Sequence, residues 1–223
     1  VRKIISFSLW GTNTRYTDGA IKNTDLAKKI YPDWTCRFYL GKSVSREVTD
    51  LLARKDNTEV VVMDEEGDWS GMFWRFYPAS EPDVDAMISR DTDSRLTMRE
   101  KSAVDEWLLS DKKFHIMRDH PYHAVPILGG MWGAKKGAIP QMRKLINEYT
   151  KDDVWQVDQN FLAHEVYPLI KEDVYEHDEF FADSPFPYPR DEKHFVGQAY
   201  DGNDKILDAD EYFYDYVLEE TSL

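Results

Sequence analysis

DAMISRDTDSR, Asp85 to Arg95, passes from an apolar run into a charged turn. Ala86, Met87 and Ile88 read as a short buried strand that ends in the small Ser89. Asp91 and Asp93 follow in Asp-x-Asp spacing, with Thr92 between them and Arg90 and Arg95 on either side. A strand here puts both carboxylates just past its C-terminal end, the rim where open α/β sheets hold ligands. Side chains at i and i+2 of an extended segment point the same way, so the pair can face one hard cation. A cation so held keeps open positions for a diphosphate. The bland alternative is a polar turn with two solvated aspartates. The tripeptide alone does not decide between them, because this spacing arises by chance in any acidic chain.

The residues before this stretch supply a sheet. Lys3 to Trp10 (KIISFSLW) is β-branched and aromatic and stops at Gly11, as a central first strand does. Gly11 to Gly19 reads as a polar turn, and Ala20 to Ile30 as a helix with Ile21, Leu26, Ala27 and Ile30 on one face. Thr35 to Leu40 is a second strand, the stretch from Ser45 a second helix, and Glu59 to Met63 a third strand. The order βαβαβ predicts a mostly parallel sheet with right-handed crossovers. Gly71 to Tyr77 (GMFWRFY) reads as a short aromatic helix on that sheet, with Arg75 inside it.

Beyond the Asp-x-Asp turn the elements continue. Thr97 caps a helix to Leu109, with Glu100 three residues on in a capping-box pattern. Phe114 to Met117 is a short strand, Arg118 to Pro126 a polar loop, and Ile127 to Gly133 (ILGGMWG) an apolar glycine-rich run. Helices follow at Ile139 to Tyr149 and Asp153 to Tyr167, then a strand at Asp173 to Tyr175. Phe180 to Arg190 is proline-rich and irregular, and the acidic, aromatic Ala209 to Glu219 reads as a last helix.

The 223 residues carry 28 basic and 42 acidic side chains, a net charge of −14, which disfavours nucleic acid and anionic membranes as partners. A divalent cation would reverse that sign locally. With one cysteine, Cys36, there is no disulfide framework and no Cys-based zinc site. No apolar run reaches the ~18 residues of a membrane span. The N-terminus reads as a strand and not a signal peptide, so the expected location is cytoplasmic. Repeats, low-complexity tracts and linkers are absent. One domain over 1–223 is therefore expected. Neither G-x-x-x-x-G-K-[ST] nor G-x-G-x-x-G is present, which argues against P-loop and dinucleotide enzymes.

The ordered set ISFSLWG, FWRFYPAS, ISRDTDSR, HIMRDHPYHAVPILGGMWGAKKG, VDQNFL and HFVGQAYD resembles glycosyltransferases of the GT-A type over nearly the whole chain. Its overall pattern is similar to the N-terminal glycosyltransferase domain of a chlorella virus protein and to bacterial polysaccharide enzymes. The resemblance implies a single Rossmann-like α/β domain over 1–223, with a nucleotide-binding half at about 1–95 and a donor-sugar and acceptor half at about 96–223, and a UDP-sugar donor. It further implies Mn²⁺ or Mg²⁺, a glycan or glycoconjugate acceptor, and a transferred hexose or deoxyhexose such as glucose or rhamnose. It also implies site residues. Asp91 and Asp93 would hold the metal, with His194 as a late third ligand or else a loop histidine. Ser8, Leu9, Trp10 and Gly11 would meet base and ribose, Trp10 reading equally as a rim or core aromatic. Arg75 reads two ways, touching the nucleotide or forming a salt bridge to Asp91. Arg90, Arg118, His120 and the wall Gly130-Met131-Trp132 would face phosphate and sugar, Trp132 stacking on a sugar ring, or the wall is simply a buried strand. Asp158, with Gln159, would serve as acceptor base or positioning group, or Asp158 only caps a helix dipole. Rival readings use the same aspartates in a metal-dependent phosphohydrolase or nucleotidyltransferase, or keep the fold as a non-catalytic binding module.

Overall fold

The computed structural model describes residues 1–149, 156–191 and 194–207. In chain order the elements are β1 (Lys3–Leu9), α1 (Thr14–Ile30), β2 (Thr35–Leu40), α2 (Arg46–Ala53), β3 (Thr58–Val62), a 3₁₀ segment (Trp69–Ser80), β4 (Ala86–Ser89) and α3 (Met98–Leu109). There follow β5 (Phe114–Arg118), β6 (Trp132–Lys135), α4 (Met142–Glu148), α5 (Val157–Phe161), α6 (Tyr167–Ile170) and β7 (Val174–Asp178). The seven strands form one sheet in the order β3-β2-β1-β4-β6-β5-β7. Only β6 runs antiparallel to its neighbours β4 and β5; the other pairings are parallel. The chain steps outward from β1 to β2 and β3, then returns to β1's other side as β4. That reversal opens a crevice past the C-terminal ends of β1 and β4.

Alternate residues of the central strands feed two cores, as a pleated sheet covered on both faces requires. Ile4 and Met87 pack with Phe73, Phe76, Met142, Ile146 and Phe161 on one face. Ile5, Phe7, Ala86 and Ile88 pack with Ala20, Ala27, Leu52, Val104 and Trp107 on the other. Fully burying an aliphatic or Phe side chain in such a core contributes about 1.5–3 kcal/mol.

Three local readings change. Residues 14–19, expected as turn, are already helix: Asn13 caps α1, its side chain accepting from Arg15 N at 3.0 Å. Gly19 belongs to the buried face of that helix, where a Cβ would come within 2.1 Å of the Thr92 carbonyl oxygen. It marks a close approach between α1 and the Asp-x-Asp turn and not a chain reversal. The Thr97 cap forms, Glu100 N donating to its hydroxyl at 3.3 Å, but the Glu100 carboxylate turns instead to Arg90 and Tyr31. Between α5 and α6 the helix widens into a π turn at Leu162–Val166, just before Pro168, which has no N–H to continue an α ladder. The helix expected at 209–219 and the start of the one expected from 153 lie outside the described residues. Among the described residues no helix is long and apolar enough to cross a membrane.

Candidate functional site

The crevice is a cavity of about 820 Å³, within the ~300–1,000 Å³ range of small-molecule sites. Ser8, Leu9, Trp10 and Gly11 at the end of β1 line it, with Asn13, Arg15 and Tyr16 from the start of α1. Asp68, Trp69, Met72 and Arg75 come from the 3₁₀ segment, and Asp91 to Ser94 form the floor. Among the described residues beyond 94, only Gly197 and Ala199 take part.

The floor is a chain of arginine–aspartate pairs. Arg75 is buried; its Nη1 pairs with Asp91 Oδ1 and its Nη2 donates to Asp158 Oδ2 at 2.9 Å. The Ser8 hydroxyl accepts from Arg75 N at 3.1 Å and so fixes the 3₁₀ segment to β1. Burial opposes the guanidinium charge, but Asp91 and Asp158 together hold its pKa above the ordinary value. Arg15 grips Asp93 Oδ2 with Nε at 2.8 Å and Nη2 at 2.5 Å. Burial raises the Asp93 pKa, the Asp91 charge raises it further, and Arg15 pulls it back. The turn is held from behind by Asn23 of α1, whose amide donates to Ser94 O at 2.8 Å and Thr92 O at 3.3 Å.

The glycines of ILGGMWG serve this floor. A Cβ on Gly129 would come within 2.4 Å of Asp158 Oδ2 and 2.6 Å of Arg75 Nη2, and one on Gly130 within 2.0 Å of Asp91 Oδ2. They let the loop backbone lie directly on the ion pairs.

Other expected site residues stand elsewhere. Trp132 is fully buried, stacked on Phe114 with ring centroids 5.1 Å apart and edge-on to Phe76. Its position in β6 points it into the core, so its side chain cannot form a sugar platform. Met131 packs with Met117 and Val196 in a separate small core. Arg90, outside the cavity lining, is buried against Glu100 at 3.1 Å and donates to Ser89 O at 2.8 Å. Arg118 pairs along β7 with Asp178 at 2.7 Å and with Glu176. His120 packs on Phe195, 4.4 Å between centroids, and its Nδ1 accepts from Tyr122 N at 3.1 Å. His194 Nδ1 pairs with the Tyr200 hydroxyl at 3.0 Å. Asp158 has no exposed surface, so it meets Arg75 and not an acceptor. Burial raises its pKa, against the pull of Arg75. Gln159 is half-buried outside the cavity lining.

Sequence reasoning missed Arg15, Tyr16, Asp68, Trp69 and Met72 as cavity residues. Of these only Met72 lay within the aromatic stretch Gly71 to Tyr77 that the sequence marked.

A divalent cation suits this donor set in type and charge. The floor offers two hard carboxylates on one turn, and three aspartates outnumber two arginines, leaving one negative charge in excess. Among the described residues no group of three His, Cys, Asp or Glu side chains converges on a metal position. Remaining ligands would have to come from a bound phosphate and water, as is usual for Mg²⁺-type sites.

No protein-family model matches the chain, and no curated protein matches it in sequence. Solved structures do match. A glycosyltransferase involved in the glycosylation of the major capsid of PBCV-1 aligns with TM-score 0.52 and 18% identity over 80% of this chain and 82% of its own. The 4-diphosphocytidyl-2C-methyl-D-erythritol synthase of Anaerococcus prevotii aligns with TM-score 0.51 and 12% identity over 97% and 98%. The mannosyltransferase PcManGT of Pyrobaculum calidifontis, solved with GDP-Man and Mn²⁺, aligns with TM-score 0.54 and 11% identity over 80% of this chain and 54% of its own. The fold is that of the GT-A glycosyltransferases, a seven-stranded, mostly parallel α/β sheet.

Proposed function

We propose that the protein is a metal-dependent glycosyltransferase that moves a hexose or deoxyhexose from a UDP-sugar to a glycan or glycoconjugate acceptor. One observation carries the reading: the cavity at the sheet's reversal point is lined by both carboxylates of the Asp-x-Asp turn together with the aromatic residues Trp10, Tyr16 and Trp69. The likeness in fold to glycosyltransferases supports it.

The roles follow from the lining. Trp10, Tyr16 and Trp69 supply flat apolar surface for a nucleobase. Residues of about 1–95 thus form the nucleotide half. Asp91 and Asp93 would hold Mn²⁺ or Mg²⁺. Such a cation supplies Lewis-acid stabilisation of the charge that grows on the leaving diphosphate. Arg75 faces the same charge from the cavity wall. Its guanidinium is fixed in advance by Asp158, so little reorganisation is needed as the anomeric bond to phosphate breaks. Asp158 therefore acts as a positioning residue for Arg75. Gly129 and Gly130 hold the loop against that cluster, and residues beyond 95 would carry sugar and acceptor.

A second reading, a nucleotidyltransferase, is favoured by the likeness to the diphosphocytidyl-methylerythritol synthase over nearly the whole chain. A thermal-shift panel separates the two. The glycosyltransferase reading predicts that a UDP-sugar with Mn²⁺ raises the midpoint well above Mn²⁺ alone, since a ligand at ~100 times its Kd adds about 2.7 kcal/mol. A shift confined to CTP, or to no nucleotide, contradicts it.

A further inference from the structure

Arg15 and Arg75 both hold an aspartate of the cavity floor, but on different terms. Arg75 is locked by Asp91, Asp158 and the Arg90 carbonyl oxygen, with about 5% of its side chain exposed. Arg15 touches one oxygen of one carboxylate, about 33% of its side chain is exposed, and its other neighbour is the Tyr16 ring at 5.1 Å. It enters the cavity from the first turn of α1 and sits directly over Asp93. Asp93 is nine-tenths buried and needs a positive partner in every state of the site.

The charge sum gives this difference a consequence. Three aspartates and two arginines leave the floor at −1, and Asp68 in the cavity lining adds a further negative charge, so a nucleoside diphosphate arriving alone is repelled. A divalent cation taken up between Asp91 and Asp93 turns the floor's own sum to +1 and removes the cavity's net negative charge. It also takes over the neutralisation of Asp93 that Arg15 performs. A released guanidinium on a long, partly exposed stem then stands beside phosphate oxygens, its preferred partner geometry.

We propose that Arg15 is an exchangeable counter-ion. Without donor it holds Asp93; with donor and cation bound it leaves Asp93 and grips the diphosphate. The inference rests on the nucleotide-sugar reading of the cavity. It has a signature that a purely structural ion pair lacks. Arg15 competes with the metal but cooperates with the nucleotide, so its removal moves the two affinities in opposite directions. By linkage, metal and nucleotide favour one another partly through this residue.

The test uses the full chain as wild type, Arg15→Gln and Arg15→Lys. Free Mn²⁺ is followed by electron paramagnetic resonance, and UDP binding at saturating Mn²⁺ by calorimetry. Arg15→Gln is expected to bind Mn²⁺ alone about fivefold more tightly and UDP about tenfold more weakly, a loss typical of one charged hydrogen bond. Arg15→Lys is expected to keep part of the UDP affinity. Unchanged affinities in Arg15→Gln, or both falling together with the thermal midpoint, overturn the exchange and leave the nucleotide reading standing. Wild-type protein that binds no UDP at any Mn²⁺ concentration overturns that reading and this inference with it.

Discussion

Asp119 and Asp158 are both fully buried aspartates that depend on arginine. Asp119 follows β5 on the same rim of the sheet as the Asp-x-Asp turn, and both its oxygens are saturated. Arg99 reaches Oδ2 and Oδ1 at 2.9 Å each, Arg190 reaches Oδ1 at 2.7 Å, and Val196 N donates to Oδ2 at 2.9 Å. Glu179 closes the far side of Arg99 at 2.6 Å. Asp158 receives Arg75 on Oδ2 alone, while its Oδ1 and the Arg75 Nε are buried with no protein partner among the described residues. The first network ties α3, β5 and the turn at 194–198 into one rim. The second borders a cavity and has bonding capacity unspent. Buried polar groups are normally paired, so the unspent capacity beside the cavity agrees with the proposed site lying on that side of the rim.

The largest effect expected is on the finished network. Asp119→Ala leaves two arginines facing a lost carboxylate and should cost about 3–5 kcal/mol of unfolding free energy. Arg75→Ala strands Asp158, but burial already favours the protonated form of that carboxyl. Its cost should be smaller, about 2–3 kcal/mol, with nucleotide binding lost. Equal losses in urea titrations of the two variants would erase the distinction. Next is Gly130→Ala, whose Cβ would sit 2.0 Å from Asp91 Oδ2 and force that carboxylate off Arg75. Overpacking of this kind costs about 1–3 kcal/mol, and nucleotide affinity should fall with it. Unchanged affinity would mean that the Arg75–Asp91 pair is not part of the site.

The smallest effect is with pH, and the two sides should oppose one another. Burial lowers the pKa of His120 to about 4 and of His123 to about 3, and lowers those of His115 and His177. His123 and His120 each accept a backbone N–H on Nδ1, from Asp119 at 3.0 Å and Tyr122 at 3.1 Å, which requires the neutral ring. The unfolded chain then binds more protons than the folded one below about pH 6.5, so stability falls on acidification through that window. Asp93 and Asp158, with raised pKa values, bind their protons more tightly when folded and oppose this loss as their carboxyls protonate. A thermal midpoint flat above pH 7 and falling between about 6.5 and 4 is expected. A midpoint that rises over that range would show that the carboxyl side outweighs the histidines.

The sheet was legible because its signals are local. Apolar runs bounded by turn residues mark β1 to β4, and the aspartate pair sits where the strand ending at Ser89 leaves it. The βαβαβ order implied a mostly parallel sheet, but the reversal between β1 and β4 is visible only in the strand order of the fold. Apart from the Arg75–Asp91 pair, side-chain partners across the sheet were not legible. Arg90 meets Glu100 and not phosphate because strand twist and helix phase bring those two together. Trp132 reads the same whether it caps a ligand or fills a core, and its phase in β6 decides for the core. Arg15 was hidden by Gly19, which looks like a turn residue but serves as a flat spot on α1. The glycines at 129–130 did announce a close approach, though what they approach is a pair of carboxylates held by Arg75.

The central claim is that the crevice past β1 and β4 receives a nucleoside diphosphate over Asp91 and Asp93. A crystal structure of the protein grown with UDP and Mn²⁺ tests it most directly. The account predicts uridine among Trp10, Tyr16 and Trp69 and an anomalous manganese peak between the two carboxylates. It also predicts that Arg15 will have turned from Asp93 to a phosphate. Nucleotide bound elsewhere, or both aspartates still held by arginine with no density between them, would contradict it.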